Sequence, residues 1–297
     1  MTTPITSQQI LEQQVQQVMT QRRKQPRGVE LSKRTGIQYN AQLQALTREV
    51  KKDIDEQLVP LLRKLEPEYT ADADWFGLIT NMLETLLAKW SSPKFRGLAN
   101  ELASKFVTSA DNVNEKKTKA QFGVDIYSTD PQMTQVIESA IYDNTKLIST
   151  IPAQYLSQVE SIVMTNVRAG NRSSGMVKAL QQQFGVTQRR AKMIARDQVA
   201  KVNGDLNKKR QQVAGFDYFQ WITSNDERVR DRHEDIAEKV TEYGKGIYRW
   251  DNPPLSDKGI PIIPGQDYQC RCTARPVNQR EVDRNKKAGN TRPGVKR

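Results

Sequence analysis

Apolar residues recur every three or four positions through most of the first 213 residues, which is the period of helices with one buried face. A weak stripe runs through residues 10–19, and stronger stripes predict helices over residues 38–65, 74–90, 93–106, 131–148, 150–167, 173–184 and 187–213. Pro60 should kink the first of the long helices. Residues 110–130 are polar and predict a loop, and Gly185 is expected to end the helix before it with a left-handed cap.

The period changes only after Gly215. Aromatic and β-branched residues alternate over residues 218–223, which predicts a strand, and a second strand is expected over residues 270–276. The sequence therefore predicts an α+β fold, in which a mainly α-helical N-terminal body is followed by a small C-terminal module with a short antiparallel sheet. The expected parts are a basic flexible arm (1–36), a helical domain (37–168), the module (169–280) and a basic disordered tail (281–297).

The chain of 297 residues carries a formal net charge of +12. Such a charge favours association with polyanions, and nucleic acid is the first candidate. A basic surface matched to an acidic protein partner is the alternative. Contacts to phosphate would be independent of base sequence. The expected DNA-contacting residues lie on one helix and in the tail: Arg189, Arg190, Arg196, Lys286, Lys287 and Arg292.

The N-terminal segment has neither the basic start nor the apolar run of a signal peptide. No segment approaches the roughly 20 apolar residues that span a bilayer, so we expect a protein that is soluble when made. The two cysteines, Cys270 and Cys272, are separated by one residue, and a disulfide between them would close a strained ring. Unpaired cysteines fit synthesis in a reducing cytoplasm.

The residues that carry chemistry cluster near the C-terminus. His233, the single histidine of the chain, and the two cysteines offer the nitrogen and sulfur ligands that Zn²⁺ prefers. On a strand, a Cys-x-Cys pair points both side chains to one face, so a zinc site is one interpretation. Three acidic residues are candidates for its fourth ligand: Asp226, Asp231 and Asp267. In the alternative interpretation, the cysteines are small apolar residues packed under the sheet and the histidine hydrogen-bonds a loop carbonyl.

A charged run precedes the histidine and begins at Trp221 on the predicted strand. On a turn after the strand, Asp226 can accept local backbone N–H groups and pair with Arg228 or Arg230, which would fix the loop that carries His233. The alternative is catalytic, with a carboxylate orienting His233 as a general base of a nuclease or transferase. The sequence shows no partner nucleophile and no glycine-rich phosphate loop, so no enzyme activity is predicted.

Three motifs stand in order over residues 170–277. They are Ala191-x-x-Ile194-Ala195-Arg196, then Trp221-x-x-x-x-Asp226-x-Arg228-x-Arg230-x-x-His233, then Cys270-Arg271-Cys272 after a loop with Pro261 and Pro264. This arrangement resembles the phage head morphogenesis family, the Mu F-like minor capsid proteins. Many relatives carry a Thr-Glu pair where this chain has Asp197-Gln198.

The resemblance implies a minor capsid protein that acts in prohead assembly and in DNA packaging or delivery. The implied partners are the portal protein, other capsid proteins and phage double-stranded DNA, which would be contacted without sequence specificity. The implied location is the virion, at the capsid interior or the portal vertex, after assembly in the host cytoplasm. No cofactor is implied beyond the zinc considered above.

Two other functions compete with this one. A DNA-processing or toxin-like enzyme would use His233. A nucleic-acid-binding module unrelated to virions would read DNA with a helix-turn-helix around Gly185. The apolar stripe of Ile194, Val199 and Val202 commits the second of those helices mainly to packing, which argues against the last possibility.

Overall fold

The computed structural model describes residues 7–21, 28–30, 33–66, 75–123, 125 and 130–290. In chain order its helices are α1 (Ser7–Gln21), α2 (Lys33–Asp53), α3 (Val59–Leu65), α4 (Trp75–Ser91), α5 (Pro93–Phe122), α6 (Pro131–Arg168), α7 (Ser173–Val213), α8 (Asp231–Glu238) and α9 (Gln279–Asn290). The strands are β1 (Tyr218–Ile222), β2 (Val240–Thr241), β3 (Gly244–Lys245), β4 (Ile247–Arg249) and β5 (Thr273–Val277). A mainly helical N-terminal body thus precedes a small region with short antiparallel sheets, which confirms the predicted fold class.

The backbone divides into two compact units. The first comprises residues 36–106 and 141–196, and the second comprises the described residues within 1–35, 107–140 and 197–297. These limits fall inside α2, α5, α6 and α7, and so differ from the domain limits predicted near residues 168 and 280. The difference arises because each unit is assembled from helix segments that are distant in the sequence.

The first unit is built on the apolar stripe of α2. Leu43, Val50 and Tyr39 on this helix are fully or almost fully buried. The Tyr39 ring stacks on Phe106 with a centroid distance of 3.9 Å, and its hydroxyl donates to Asn144 Oδ1 at 3.0 Å. The aromatic stack and the satisfied hydroxyl together fix α2 against α5 and α6.

A π-helical turn, Ile54–Leu58, joins α2 to α3. In it, the N–H of Val59 donates to the carbonyl of Ile54, five residues back. Pro60 follows directly, and a proline can neither donate to a carbonyl four residues earlier nor fit the usual helical spacing. The irregularity predicted at Pro60 takes the form of this wider turn.

Three helix limits predicted from the sequence were wrong. Helix α5 continues to Phe122 through the expected loop, because Phe122 is buried against Phe216 with a centroid distance of 5.0 Å. Helix α6 runs through Pro152 without a break. Helix α7 runs through Gly185, so the helix-turn-helix considered there does not exist.

A buried polar cluster organises the helical part of the second unit. Arg210 of α7 is fully buried and donates to Asp111 Oδ1 at 2.6 Å and to Asn114 Oδ1 at 2.8 Å, both on α5. The side-chain amides of Asn203 and Asn207 donate to one carbonyl, that of Val29, at 2.8 and 2.7 Å. Buried polar groups at these positions are satisfied by one another, as burial requires.

The three-stranded sheet has the order β4-β1-β5, and both pairings are antiparallel. Phe219 of β1 stands opposite Tyr248 on one side and Pro276 on the other. Its ring stacks on Trp250 at 4.1 Å. The strand predicted over residues 218–223 is confirmed, whereas β5 begins at Thr273, three residues after the predicted start.

Helix α9 occupies residues that were expected to begin a disordered tail. Val282 is fully buried, Glu281 pairs with Arg275 at 2.6 Å, and the Asn285 amide donates to the Tyr243 carbonyl at 2.9 Å. These contacts supply the stabilisation that the polar sequence lacks by itself. Residues 291–297, and with them Arg292, lie outside the described residues. Across the part of the chain that is described, no helix combines the length and apolar character needed to cross a membrane.

Candidate metal centre

Three side chains that are distant in the sequence meet inside the C-terminal module. Nδ1 of His233 lies 3.6 Å from Sγ of Cys270 and 3.6 Å from Sγ of Cys272. All three ligand atoms lie within 4.8 Å of one another. The three residues are buried, with 3%, 3% and 6% of their surface exposed. The structure thus brings together the residues that the sequence analysis grouped as a candidate zinc site.

His233 lies in the first turn of α8, not on the loop that was expected. The turn begins where the His233 N–H donates to the Arg230 carbonyl at 2.8 Å. Ile236, one turn later on the same side, is buried in the apolar core of the module. The imidazole meets the Trp221 ring edge-on, with centroids 5.3 Å apart. Helix α8 and Trp221 of β1 therefore set the direction of the imidazole.

Cys270 and Cys272 precede β5, so their convergence is not due to the alternation of a strand. Gln269 has a φ angle of 52°, a left-handed conformation that turns the chain sharply. Its N–H donates to Oδ1 of Asp197 on α7 at 2.9 Å, which fixes the turn. The Cys272 N–H then donates to Cys270 Sγ at 3.4 Å, and both sulfurs face His233.

Asp267 holds the other side of the imidazole. Its Oδ2 atom lies 3.1 Å from Nε2 of His233 and 2.9 Å from Nη1 of Arg230. Its Oδ1 atom accepts the N–H of Tyr268 at 2.8 Å. Asp267 was considered as a fourth metal ligand, but it lies on the ring nitrogen that faces away from the sulfurs. A carboxylate at Nε2 favours the tautomer in which Nε2 carries the proton and Nδ1 presents its lone pair to the thiols.

The two thiols differ in their affinity for a proton. The hydrogen bond from Cys272 lowers the pKa of Cys270 to about 4, against burial, which acts in the opposite direction. The same contact, together with burial, raises the pKa of Cys272 above its usual range. Burial by itself would lower the pKa of His233, but the contacts with Cys270 and Asp267 outweigh it and raise that pKa.

The run between Trp221 and His233 is anchored to the segment that carries the cysteines. Arg271, the residue between them, donates through both terminal nitrogens to the carboxylate of Asp226. Oδ1 of Asp226 also accepts the N–H of Arg228 at 3.0 Å, as the turn chemistry predicted. The ion pair expected with Arg228 or Arg230 is formed with Arg271 instead, and Arg230 is engaged by Asp267.

Residues 157–275 match the family model described as Phage Mu protein F like protein. Over these residues, the chain is similar to the phage Mu protein F-like family. An uncharacterized protein of Haemophilus influenzae is 28% identical over 270 residues, which cover 86% of this chain and 57% of that relative. The chain therefore spans little more than half the length of the relative. No solved structure matches this chain.

The Mu F-like region contains the complete candidate metal centre. It starts within α6, earlier than residue 170, where the resemblance was placed from the motifs, and it ends within β5. His233, Asp267 and the Cys270-Arg271-Cys272 segment all lie inside it. The site is thus a feature of the family region and not of the N-terminal helices.

The residues expected to contact DNA differ in their exposure. Arg189 and Arg196 of α7 are exposed, as are Lys286 and Lys287 of α9. Arg190 is half-buried and donates through Nη2 to Thr150 Oγ1 at 2.9 Å, and burial lowers its pKa. Arg190 therefore packs into the first unit, whereas Arg189 and Arg196 present their charges to solvent.

Two residues that position the site were not given a role from the sequence. In the sequence, Arg271 was recognised only as part of the Cys-Arg-Cys motif. Its positive charge between two thiols could have suggested that it pairs with a carboxylate. Asp197 appeared only as a departure from the usual Thr-Glu pair. It is buried, pairs with Lys201 at 2.8 Å and accepts the Gln269 N–H, which no local pattern reveals.

Proposed function

We propose that the protein is a phage minor capsid protein that acts in head morphogenesis, at prohead assembly and at DNA packaging or delivery. The observation that carries the proposal is the Mu F-like region over residues 157–275. In this proposal, the portal protein and other capsid proteins are its partners. The protein is made in the host cytoplasm and is placed in the virion, at the capsid interior or the portal vertex.

The proposal includes non-specific contact with phage double-stranded DNA. A net charge of +12 supports it, since it favours association with polyanions. Arg189, Lys192 and Arg196 are exposed on α7 at spacings of three and four, which places them on one helix face. Lys286 and Lys287 add two exposed charges on α9. A cationic helix face suits contacts with phosphate groups.

An assembly role is favoured over the toxin-like or DNA-processing enzyme by the surroundings of His233. A general base needs a ring nitrogen within reach of the proton it removes. Here Nε2 faces Asp267 and Nδ1 faces the two sulfurs, and the residue is buried. Both nitrogens are engaged inside the protein, which supports a structural role for the histidine.

The test is the composition of purified particles. Proheads, DNA-filled heads and tails are separated from a lysate of the phage that encodes the chain, and the chain is quantified by mass spectrometry. We expect it in proheads and filled heads in a fixed ratio to the portal protein. The major tail tube protein provides the control for cross-contamination of the fractions. Presence of the chain in the lysate but absence from both head fractions would refute the proposal.

A further inference from the structure

The buried group of His233, Cys270 and Cys272 has no part in the contacts with DNA or capsid proteins proposed above. The distances between the histidine nitrogen and the two cysteine sulfurs nevertheless match those of a metal site. In tetrahedral zinc sites the Zn–S bond is about 2.3 Å and the Zn–N bond about 2.0–2.1 Å, which puts a nitrogen and a sulfur ligand about 3.6 Å apart. Nδ1 of His233 lies 3.6 Å from each of the two sulfurs. Each nitrogen–sulfur distance thus matches that of a shared zinc ion, and the three ligand atoms lie within 4.8 Å of one another.

A hydrogen bond from one thiol to His233 does not explain why Nδ1 is equally distant from the two sulfurs. Nδ1 presents one lone pair when Nε2 carries the ring proton, and it can accept only one S–H at a time. Yet the two sulfurs are equally distant from it. Two equal nitrogen–sulfur distances suit an ion bound between the three atoms, whereas a single S–H···N bond favours one sulfur over the other.

The groups around the site suit thiolate sulfur. Nε1 of Trp221 is buried and has no hydrogen-bond partner among the described residues. Trp221 and Cys272 belong to the same buried cluster of side chains. Arg271 adds a positive charge between the two cysteines. A buried N–H without an oxygen or nitrogen acceptor is costly, and a metal-bound thiolate would be its natural acceptor.

Asp267 completes the arrangement as an orienting group. Zinc-bound histidines generally donate their second ring nitrogen to a carboxylate or a carbonyl, which fixes the tautomer and the ring direction. Oδ2 of Asp267 lies 3.1 Å from Nε2, and Arg230 holds that same oxygen at 2.9 Å. This is the carboxylate–histidine pair expected on the outer side of a metal ligand.

We propose that His233 Nδ1, Cys270 Sγ and Cys272 Sγ bind one Zn²⁺ ion, with water as the fourth ligand. Within the described ranges, no further histidine, cysteine or acidic residue joins the three. Of the three acidic candidates, Asp226 is taken by Arg271, Asp231 is exposed on α8, and Asp267 faces the other ring nitrogen. The ion ties α8 to a segment 37–39 residues further along the chain, and so closes the Mu F-like module.

The first test is metal content of the full chain, purified without chelator and dialysed against zinc and then against metal-free buffer. We expect one zinc per chain by mass spectrometry of the metal. Replacement by Co²⁺ should give a sulfur-to-cobalt charge-transfer band and the strong visible bands of tetrahedral cobalt. Zinc at trace level, or a cobalt spectrum without the sulfur band, would overturn the proposal. This test does not depend on any variant's ability to fold.

A second test uses variants to identify the side chains that bind the zinc ion. Cys270→Ser combined with Cys272→Ser should abolish zinc binding and the cobalt charge-transfer band, and retention of either would overturn the assignment. Asp267→Asn should weaken zinc affinity about 10–100-fold, as loss of an orienting carboxylate typically does. Asp251→Asn is the matched control, because Asp251 is exposed and pairs with Arg249, which is not one of the residues of the site. Equal zinc affinity in the two Asp→Asn variants would contradict the role given to Asp267.

Discussion

Gly204 of α7 approaches the carbonyl oxygen of Pro264 so closely that a β-carbon on Gly204 would lie 2.6 Å from it. On the other side of the contact, a β-carbon on Gly265 would lie 2.6 Å from the carbonyl of Ala200, and Gly265 has a φ angle of 94°. Two glycines therefore let the loop before Asp267 lie directly on α7. The position of Asp267, and through it the direction of His233, depends on this approach.

Replacing Gly204 with Ala should destabilise the protein by about 1–3 kcal/mol, because the new β-carbon meets backbone that cannot rotate away. Urea denaturation of the full chain measures the change. Gly175→Ala is the control on the same helix, since a β-carbon there would meet nothing within 4 Å. It should be neutral or stabilising by up to about 1 kcal/mol. A Gly204 variant as stable as the Gly175 variant would show that the approach is not tight.

The extent of the helices shows what the sequence could and could not predict. The helical period of α2, α4 and α7 was evident because their buried residues recur every three or four positions. The residues at which the helices end were not evident from the sequence, because tertiary contacts override local signals. Residues 110–122 are polar and were expected to form a loop, but Asn114 is buried against Arg210, and Phe122 against Phe216. Gly185 was expected to form a cap, but it lies inside the continuous helix α7.

The candidate site was predictable in its members but not in its geometry. One histidine and a Cys-x-Cys pair in a single module suggested a common site. Their alignment depends on the left-handed turn at Gln269 and on Asp197, which lies 72 residues earlier in the chain. The roles of Asp267 and Arg271 likewise arise from long-range pairing, which spacing in one sequence cannot reveal.

The buried ion pair of Asp111 and Arg210 should be the costliest polar contact to break in the second unit. The two side chains are 4% and 0% exposed. Asp111→Ala leaves the Arg210 charge buried without its carboxylate, and we expect the free energy of unfolding to fall by about 3–5 kcal/mol. Thermal or urea denaturation measures it.

An exposed pair on the same helix provides the control for that experiment. Glu101 and Lys105 of α5 have side chains that are 58% and 60% exposed. Glu101→Ala should change stability by no more than about 0.5 kcal/mol. If Asp111→Ala costs as little as Glu101→Ala, the Arg210 side chain must find another partner or reach solvent.

The pairing of Asp226 with Arg271 predicts a pH dependence of stability. The hydrogen bonds from Arg271 lower the pKa of Asp226, with the Arg228 N–H acting in the same direction and desolvation opposing both. Because the folded-state pKa lies below that of the unfolded chain, about 3.9, the stabilisation is present above that value and is lost as the pH falls through the folded-state pKa. Asp226→Asn should therefore be less stable than wild type at neutral pH, and the difference should shrink below about pH 4.

Denaturant titrations of wild type and Asp226→Asn at several pH values measure this difference. Asp257→Asn, at an exposed position, serves as control and should stay within about 0.5 kcal/mol of wild type throughout the range. A gap between wild type and Asp226→Asn that is unchanged from neutral pH to pH 3 would contradict the proposed contribution of the ionised carboxylate.

The cationic face of α7 predicts salt-dependent DNA binding. If Arg189, Lys192 and Arg196 each neutralise one phosphate, replacing all three with Gln should reduce the log–log salt slope by about 2–3, since each contact contributes about 0.9. Affinity for duplexes of unrelated sequence should fall to the same extent, because phosphate contacts do not read bases. The control replaces Lys94, Arg96 and Lys105 with Gln, which removes equal charge from exposed positions on α5. Equal slopes for the two triple variants, measured by fluorescence anisotropy between about 50 and 200 mM salt, would show that binding follows net charge and not this face.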